Sequence, residues 1–580
     1  MMLQVLIAIL LVPALFHLPE GVTAADVTAP AGRVSGLELD VLGTKVNAFL
    51  GIPFARPPVG ESRFKHAEAL PPWDGTYNAT RKPQACLQIL YADDYSGLWA
   101  LNTTTSEDCL FLSVWQPNPA PTGAAVMVWI YGGGFQTGAS TCPVYDGRYL
   151  AATEGVVVVG LQYRVSTLGF LYAGTDDAPA NVGFTDQALA LTWVKNNIVA
   201  FGGDPAKVTL FGESAGGTSV AFHLLSPGSW DLFNRAILQS GTATQTWGLD
   251  TREAAYEKTL AIAKAVGCPT DQGRDKMIEC FRGKDGQELV SSSALGYTSF
   301  YPVEDGTVIP ENPFVSYEKG AFKKADILLG SNENEGTYFF VESEAPGFSA
   351  DTESLITKQQ YLEGIPYMVA EINDFAVDAA AFKYTDWENL DKATMYRDAF
   401  DSLYSDYYYF CPDVRTGRGH VREGATAYMY RFAHRASVSP FAAWMGVVHG
   451  EELSFVFGLP LDPAFGFNQA ERNLTRRVMR HWANFARTGN PNSNNEAVWS
   501  PFSLTGGRYL VLDTGEPRMV RGPSTEDCAF WDTYVTPLMN KTDALKNELK
   551  SCTSGASGQH LTEMIAVVCS LVSMRIFLPG

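Results

Sequence analysis

The 580-residue sequence is short of three things. It has no charge run, no Pro/Ser-rich linker and no internal repeat between about residue 30 and residue 540. That speaks against a string of small domains, although length alone would allow three or four. Its 46% hydrophobic content can fill one large core instead. Basic residues are few: 43 Lys and Arg stand against 63 Asp and Glu, for a formal net charge of −20. Nucleic acid is therefore excluded as a natural partner, while an acidic surface can draw in a cationic substrate. No apolar run reaches the roughly 20 residues of a membrane span.

Two shorter apolar runs sit at the ends. Residues 5–16 lack a basic flank, yet they lead to the small-residue cleavage site Val22-Thr23-Ala24. Residues 1–24 therefore read as a secretory signal peptide, the alternative being a buried N-terminal strand. At the other end, Ser554-Gly555-Ala556 precede a polar spacer and the apolar run 564–578, which Arg575 interrupts. Residues 546–580 read as a tail carrying a GPI-attachment signal; a membrane or partner helix and a disordered tail are the alternatives. The sequons at Asn78, Asn102, Asn473 and Asn540 agree with export. Nine cysteines in an exported chain point to disulfides, and eight remain once Cys569 is removed with the tail.

Between these ends, residues 25–545 read as a single catalytic domain. Leu37, Leu39 and Val41 alternate with polar residues, as in a half-exposed antiparallel strand. Residues 126–131, 156–159 and 236–238 are continuously apolar, which suits parallel strands buried on both faces. A helix lies between them, with Thr185 able to cap it and Leu191, Val194 and Ile198 on one face. Gly202-Gly203-Asp204-Pro205 would stop it. The alternation predicts an α/β fold with a large, mostly parallel sheet flanked by helices and N-terminal antiparallel strands.

The chemistry begins at Gly212-Glu213-Ser214-Ala215-Gly216, where a short strand enters and a helix-compatible stretch leaves. That is the setting of a nucleophile elbow, whose glycines let the backbone turn and expose the serine oxygen. Tyr131-Gly132-Gly133-Gly134-Phe135 follows another buried strand. Glycines there leave the N–H groups of Gly133 and Gly134 approachable, and with that of Ala215 they would form an oxyanion hole. Each such donor is worth about 2.7–4 kcal/mol in the transition state. A serine hydroxyl also needs a base and an orienting acid. Among eight histidines, His449 has an apolar approach and a following glycine, whereas His420 and His434 lie in more basic, polar contexts. Glu335 follows the strand at 327–329, and the order Ser…Glu…His is the one this fold uses. Such chemistry needs no metal or cofactor.

These residues resemble the cholinesterases within the type-B carboxylesterases over roughly residues 30–540. Phe49-Leu50-Gly51-Ile52-Pro53-Phe54-Ala55, Ser106-Glu107-Asp108-Cys109-Leu110, the elbow and Phe455-Val456-Phe457-Gly458-Leu459-Pro460 carry the resemblance. It implies an α/β-hydrolase fold, the triad Ser214, Glu335 and His449, and the oxyanion hole of Gly133, Gly134 and Ala215. It also implies disulfides Cys86–Cys109, Cys268–Cys280 and Cys411–Cys528, with Cys142 left as a buried thiol and Cys552 as the interchain cysteine of a homodimer. The choline site would be Trp99, with Glu213, Tyr338 and Phe339. An aromatic face suits a quaternary ammonium, which cannot donate a hydrogen bond.

The sequence also departs from acetyl-selective members. Trp247 of the acyl pocket is retained, but Gly296 and Thr298 stand where those members carry phenylalanines, and Tyr297 or Phe300 are the residues available to refill the space. Residues 288–293 contain no tryptophan and Gln136 replaces a rim tyrosine, so the peripheral aromatic site is depleted, though Tyr91, Asp93 and Asp94 remain near it. The expectation is a secreted or cell-surface esterase of acetylcholine and larger acylcholines. The alternatives are a general carboxylesterase of neutral esters and a neuroligin-like adhesion protein without a working triad.

Overall fold

The computed structural model describes residues 24–89, 99–295, 299–493, 499–522 and 525–554. Residues 1–23 of the expected signal peptide, Tyr91, Asp93, Asp94, Gly296, Tyr297, Thr298 and residues 555–580 lie outside them.

Among the described residues a 13-stranded sheet runs through the molecule, twelve strands in line and Thr76–Asn78 paired beside Gly32–Val41. Ala24–Ala29, Gly32–Val41, Thr44–Pro53 and Phe111–Pro117 pair antiparallel in that order. Phe111–Pro117 then pairs antiparallel with Val157–Leu161, where the parallel part begins. The parallel strands follow as Val157–Leu161, Ala124–Ile130, Gly203–Glu213, Arg235–Gln239, Ile327–Asn332, Ala427–Phe432 and Arg508–Leu512. Arg518–Arg521 closes that edge antiparallel. The three continuous apolar runs are central parallel strands, buried because helices cover both faces. The antiparallel strand Gly32–Val41 forms as expected, but its burial does not alternate: Leu37 and Val41 are buried on one face with Leu39 half-buried between them, and Val34 and Gly36 on the other face are buried too. This mixed sheet is the α/β-hydrolase arrangement read from the sequence.

One local expectation is corrected. The helix is Val182–Asn197 and starts before Thr185. Asn181 ends the preceding chain in a left-handed conformation (φ 62°, ψ 30°), and its amide binds the Val303 backbone on both sides rather than the helix. Thr185 lies inside the first turn, donating to the Val182 carbonyl. The stop is as expected: Gly202 takes φ 78°, and a Cβ there would sit 2.4 Å from the Pro121 carbonyl oxygen.

Among the described residues three disulfides are present: Cys86–Cys109, Cys268–Cys280 and Cys411–Cys528. Typical stabilisation is about 2–4 kcal/mol each. The first closes the loop that carries Trp99. Glu107 anchors the same loop by a two-pronged contact to Arg63 (2.7 and 2.5 Å), which also donates to the Phe281 and Lys284 carbonyls. Cys142 is buried and reduced, its thiol donating to the Trp99 carbonyl at 3.3 Å.

Candidate active site

The parallel strands deliver their C-terminal ends to one edge of the sheet, where ligands bind in folds of this type. Gly203–Glu213 ends at Ser214, and the helix Ala215–Leu225 starts immediately after it. Ser214 has φ 57° and ψ −126°, a conformation that L-residues avoid and that a sharp elbow imposes. Tight packing holds the turn closed. A Cβ on Gly216 would lie 2.0 Å from the Ile130 carbonyl oxygen, and one on Gly132 would lie 2.7 Å from that of Glu213.

Two strands further along, Ile327–Asn332 ends just before Glu335. Glu335 is fully buried, and its Oε2 lies 2.6 Å from His449 Nδ1. Its Oε1 accepts from the Ser240 hydroxyl and the Asn332 N–H, both at 2.6 Å. A carboxylate so held fixes the tautomer and orientation of the imidazole, with Nε2 left to act. Nε2 makes no hydrogen bond, and its charged neighbour is Glu213 Oε1 at 3.1 Å. The serine-to-histidine hydrogen bond of a closed triad is therefore not formed here, and such contacts commonly tighten only with substrate bound.

Burial disfavours an imidazolium at His449, but the Glu213 and Glu335 carboxylates outweigh it and raise the imidazole above its ordinary value. Burial likewise raises Glu213, against the opposing pull of His449. His420 and His434 lie apart: His420 is bonded to the Ala325 carbonyl, and His434 faces Glu471 and Asp513.

Gly133 and Gly134 take φ 99° and 61° in the loop after Ala124–Ile130. Gln136 and Thr137 donate to the Gly133 carbonyl and curl the loop, while a Cβ on Gly133 would strike Thr137 at 2.4 Å. Ala215 is the first residue of its helix, so its N–H has no intrahelical acceptor.

Above these groups lies an aromatic cluster. Trp99 contacts Tyr338 (6.4 Å between centroids) and Phe441 (6.2 Å), and those two contact each other at 5.9 Å. Tyr338 and Phe339, on the helix Gly336–Glu342, lie 6.4 and 4.9 Å from the His449 ring. Gly450 brings the backbone next to His449 against the Trp99 ring, where a Cβ would come within 2.8 Å. Trp247 is half-buried. Phe300 is fully buried, and both its backbone groups are bound by the Gln136 amide.

Sequence reasoning missed Ser240, Asp401, Phe441 and Tyr409. Ser240 had a usable signal, since it directly follows the buried strand Arg235–Gln239 at the edge that bears the elbow. Asp401 had none. It is far along the chain, yet it accepts from the Gly336 N–H (3.0 Å) and the Asn334 amide (2.8 Å), bracing the turn around Glu335. Burial pushes its carboxyl up to about 7.

With this geometry, residues 23–531 match the model of the carboxylesterase family. The chain belongs to that family. Carboxylesterase-family membership makes it a serine carboxylic ester hydrolase, in keeping with the elbow and the Glu335–His449 pair. It is 43% identical over 530 residues to a cholinesterase of Mus musculus, covering 89% of this chain and 88% of that one. It is 42% identical over 544 residues to an acetylcholinesterase of Bungarus fasciatus, covering 91% and 89%. It is 43% identical over 564 residues to an acetylcholinesterase of Danio rerio, covering 88% of each.

Proposed function

We propose that this carboxylesterase hydrolyses choline esters, acetylcholine and larger acylcholines, through an acyl-enzyme on Ser214. Ser214 Oγ attacks the carbonyl carbon while His449 Nε2 takes its proton, and Glu335 on Nδ1 stabilises the imidazolium. The oxyanion collects N–H donors from Gly133, Gly134 and Ala215. The imidazolium returns the proton to the departing choline oxygen. A water molecule, activated by the same imidazole, then frees the acid.

The observation that carries the choline part is the aromatic group of Trp99, Tyr338 and Phe441 beside His449, with the Glu213 carboxyl 3.1 Å from Nε2. A quaternary ammonium desolvated against an aromatic face gains about 2 kcal/mol. The names of the similar proteins point the same way. A general carboxylesterase would hydrolyse a choline thioester and its neutral isostere equally, so comparing kcat/KM for the two decides between the readings. A strong preference for the choline thioester supports this one. Adhesion alone predicts no turnover. In Ser214→Ala, organophosphate labelling and turnover should both vanish, and labelling that persists would remove Ser214 from its role.

The protein is further proposed to work outside the cell, held by a GPI anchor and paired as a disulfide-linked dimer through Cys552. No helix among the described residues is long and apolar enough to cross a membrane. Phe375 (54% exposed) and Phe382 (70%) project from the helix Asp374–Tyr384, which packs against the terminal helix Thr536–Ser554. That exposed apolar face suits a second copy of the chain. The four sequon asparagines are all exposed, as glycosylation requires.

A further inference from the structure

Two residues after His449 stands a buried carboxyl that takes no part in the chemistry. Glu451 is 8% exposed. Its neighbour Glu452 turns the other way, to the Gln239 and Asn332 amides at the sheet. Burial pushes the Glu451 carboxyl up to about 7, against hydrogen bonds from Ala436 and Ser439 that favour its charge. Burying such a group is costly unless its hydrogen bonds are made, so its partners tell what it is for.

Those partners are the two ends of a tight turn. Ser439 donates its N–H to the Ala436 carbonyl at 3.1 Å and closes the turn 436–439. Glu451 Oε1 accepts the Ala436 N–H at 2.9 Å, and its Oε2 accepts the Ser439 hydroxyl at 3.3 Å. Glu471, fully buried on the helix Gln469–Thr488, accepts both the N–H and the hydroxyl of Ser437. Two carboxyls therefore clasp four residues. Pro440 follows with its φ restricted by the ring, and then Phe441, whose carbonyl accepts from Arg435 Nη2 at 2.6 Å.

Phe441 depends on that hold. It is half-buried, and its ring contacts among the described residues are to Trp99 and Tyr338, the other walls of the aromatic cluster. Its place is thus set by the backbone that carries it. The segment His449-Gly450-Glu451 serves three groups at once: His449 is the base, Gly450 lies against the Trp99 ring, and Glu451 fastens the turn leading to Phe441. One short piece of chain therefore fixes how far the imidazole stands from two aromatic walls. The same distance determines where a cation sits when the ester carbonyl is at the base.

We propose that Glu451 is a positioning residue, holding Phe441 in place as a wall of the cation pocket and so setting selectivity for the choline end of the substrate without touching it. This rests on the choline-ester reading above.

The experiment measures kcat and KM separately for acetylthiocholine and its neutral isosteric thioester. Glu451→Ala should raise KM for the choline thioester by about fivefold or more, the effect of taking an aromatic face from a desolvated cation. Its kcat, and both constants for the neutral thioester, should hold. Glu451→Gln can still accept from Ala436 and donate to the Ser439 oxygen, so it should restore the wild-type KM. If it matches the alanine variant instead, charge is at work and the proposal fails. In a Phe441→Ala background, Glu451→Ala should add nothing, since residues acting through one another are not additive; additive losses would overturn the proposal. So would equal losses on both substrates, which mark Glu451 as packing beside His449. If Glu451→Ala is not secreted, Glu451→Asp takes its place with the same split expected, being too short to reach both ends of the turn. A wild type without preference for the choline thioester fails the choline reading and this proposal with it. A wild type that prefers it, beside a Glu451→Ala that prefers it just as strongly, overturns this proposal alone.

Discussion

At the residue scale, two side chains near His449 make separable contributions. Trp99→Ala should raise KM for choline esters about tenfold or more, because one decade corresponds to ~1.4 kcal/mol. A neutral ester should hardly notice. Trp99 also packs against the backbone at Gly450, so equal losses on both substrates would mark it as packing alone. Glu213 acts through charge. His449 must be neutral to accept the serine proton, and the Glu213 carboxylate 3.1 Å from Nε2 favours the imidazolium. The acid limb of kcat/KM should therefore lie above the ordinary histidine value of about 6.5. Removing that charge in Glu213→Gln lowers the imidazole value, so the limb should move to lower pH by about one unit or more. The two groups titrate as a pair, and an unmoved limb would show that Glu213 is neutral whenever His449 acts.

At the scale of elements, the elbow is the most demanding piece of backbone. Its strained serine persists because strand and helix are packed nearly into contact, with Gly216 against the Ile130 carbonyl. Gly216→Ala should lower stability by about 1–3 kcal/mol, the usual cost of overpacking, with activity falling further as the elbow shifts. Scanning calorimetry checks the first part; an unchanged Tm would mean the elbow has slack to absorb a methyl group. The acid turn is built differently. Glu335, Asn334 and Gly336 are held by Asp401 from another helix and by Ser240 from another strand end. The elbow is local in sequence and so was readable there, while the acid turn is assembled from distant segments.

At the scale of the whole molecule, the acidic chain is expected to stand on a membrane without crossing it. Phosphatidylinositol-specific phospholipase C should release active enzyme from intact cells. Activity that stays bound after verified digestion would assign the tail another role. Released enzyme should run as a dimer on non-reducing gels and as a monomer in Cys552→Ser. Phe382→Asp should then weaken the pairing that survives in that variant, seen by sedimentation, because it places a charge in the face proposed to be covered.

The sequence by itself determined what depends on neighbours along the chain. Continuous apolar runs specified buried parallel strands, and the glycines around Ser214 specified the turn between strand and helix. A cap residue already followed a longer-range rule. Thr185 has the right chemistry, but the helix starts at Val182 because Asn181 is committed to Val303, more than a hundred residues away. Tertiary structure alone decided which groups meet His449. Glu335 lies 114 residues before it in the chain and Tyr409 comes from another helical passage, while Asp401 and Phe441 act one contact away, on Gly336 and Tyr338. No periodicity in the sequence encodes such meetings, because they follow from the order of strands in the sheet and from how each connecting helix packs back onto it. The π-helical turn Asp406–Phe410 shows both sources at once: Pro412, just after it, has no N–H for the Tyr408 carbonyl, and only the fold determines that Tyr409 faces the imidazole at 5.2 Å.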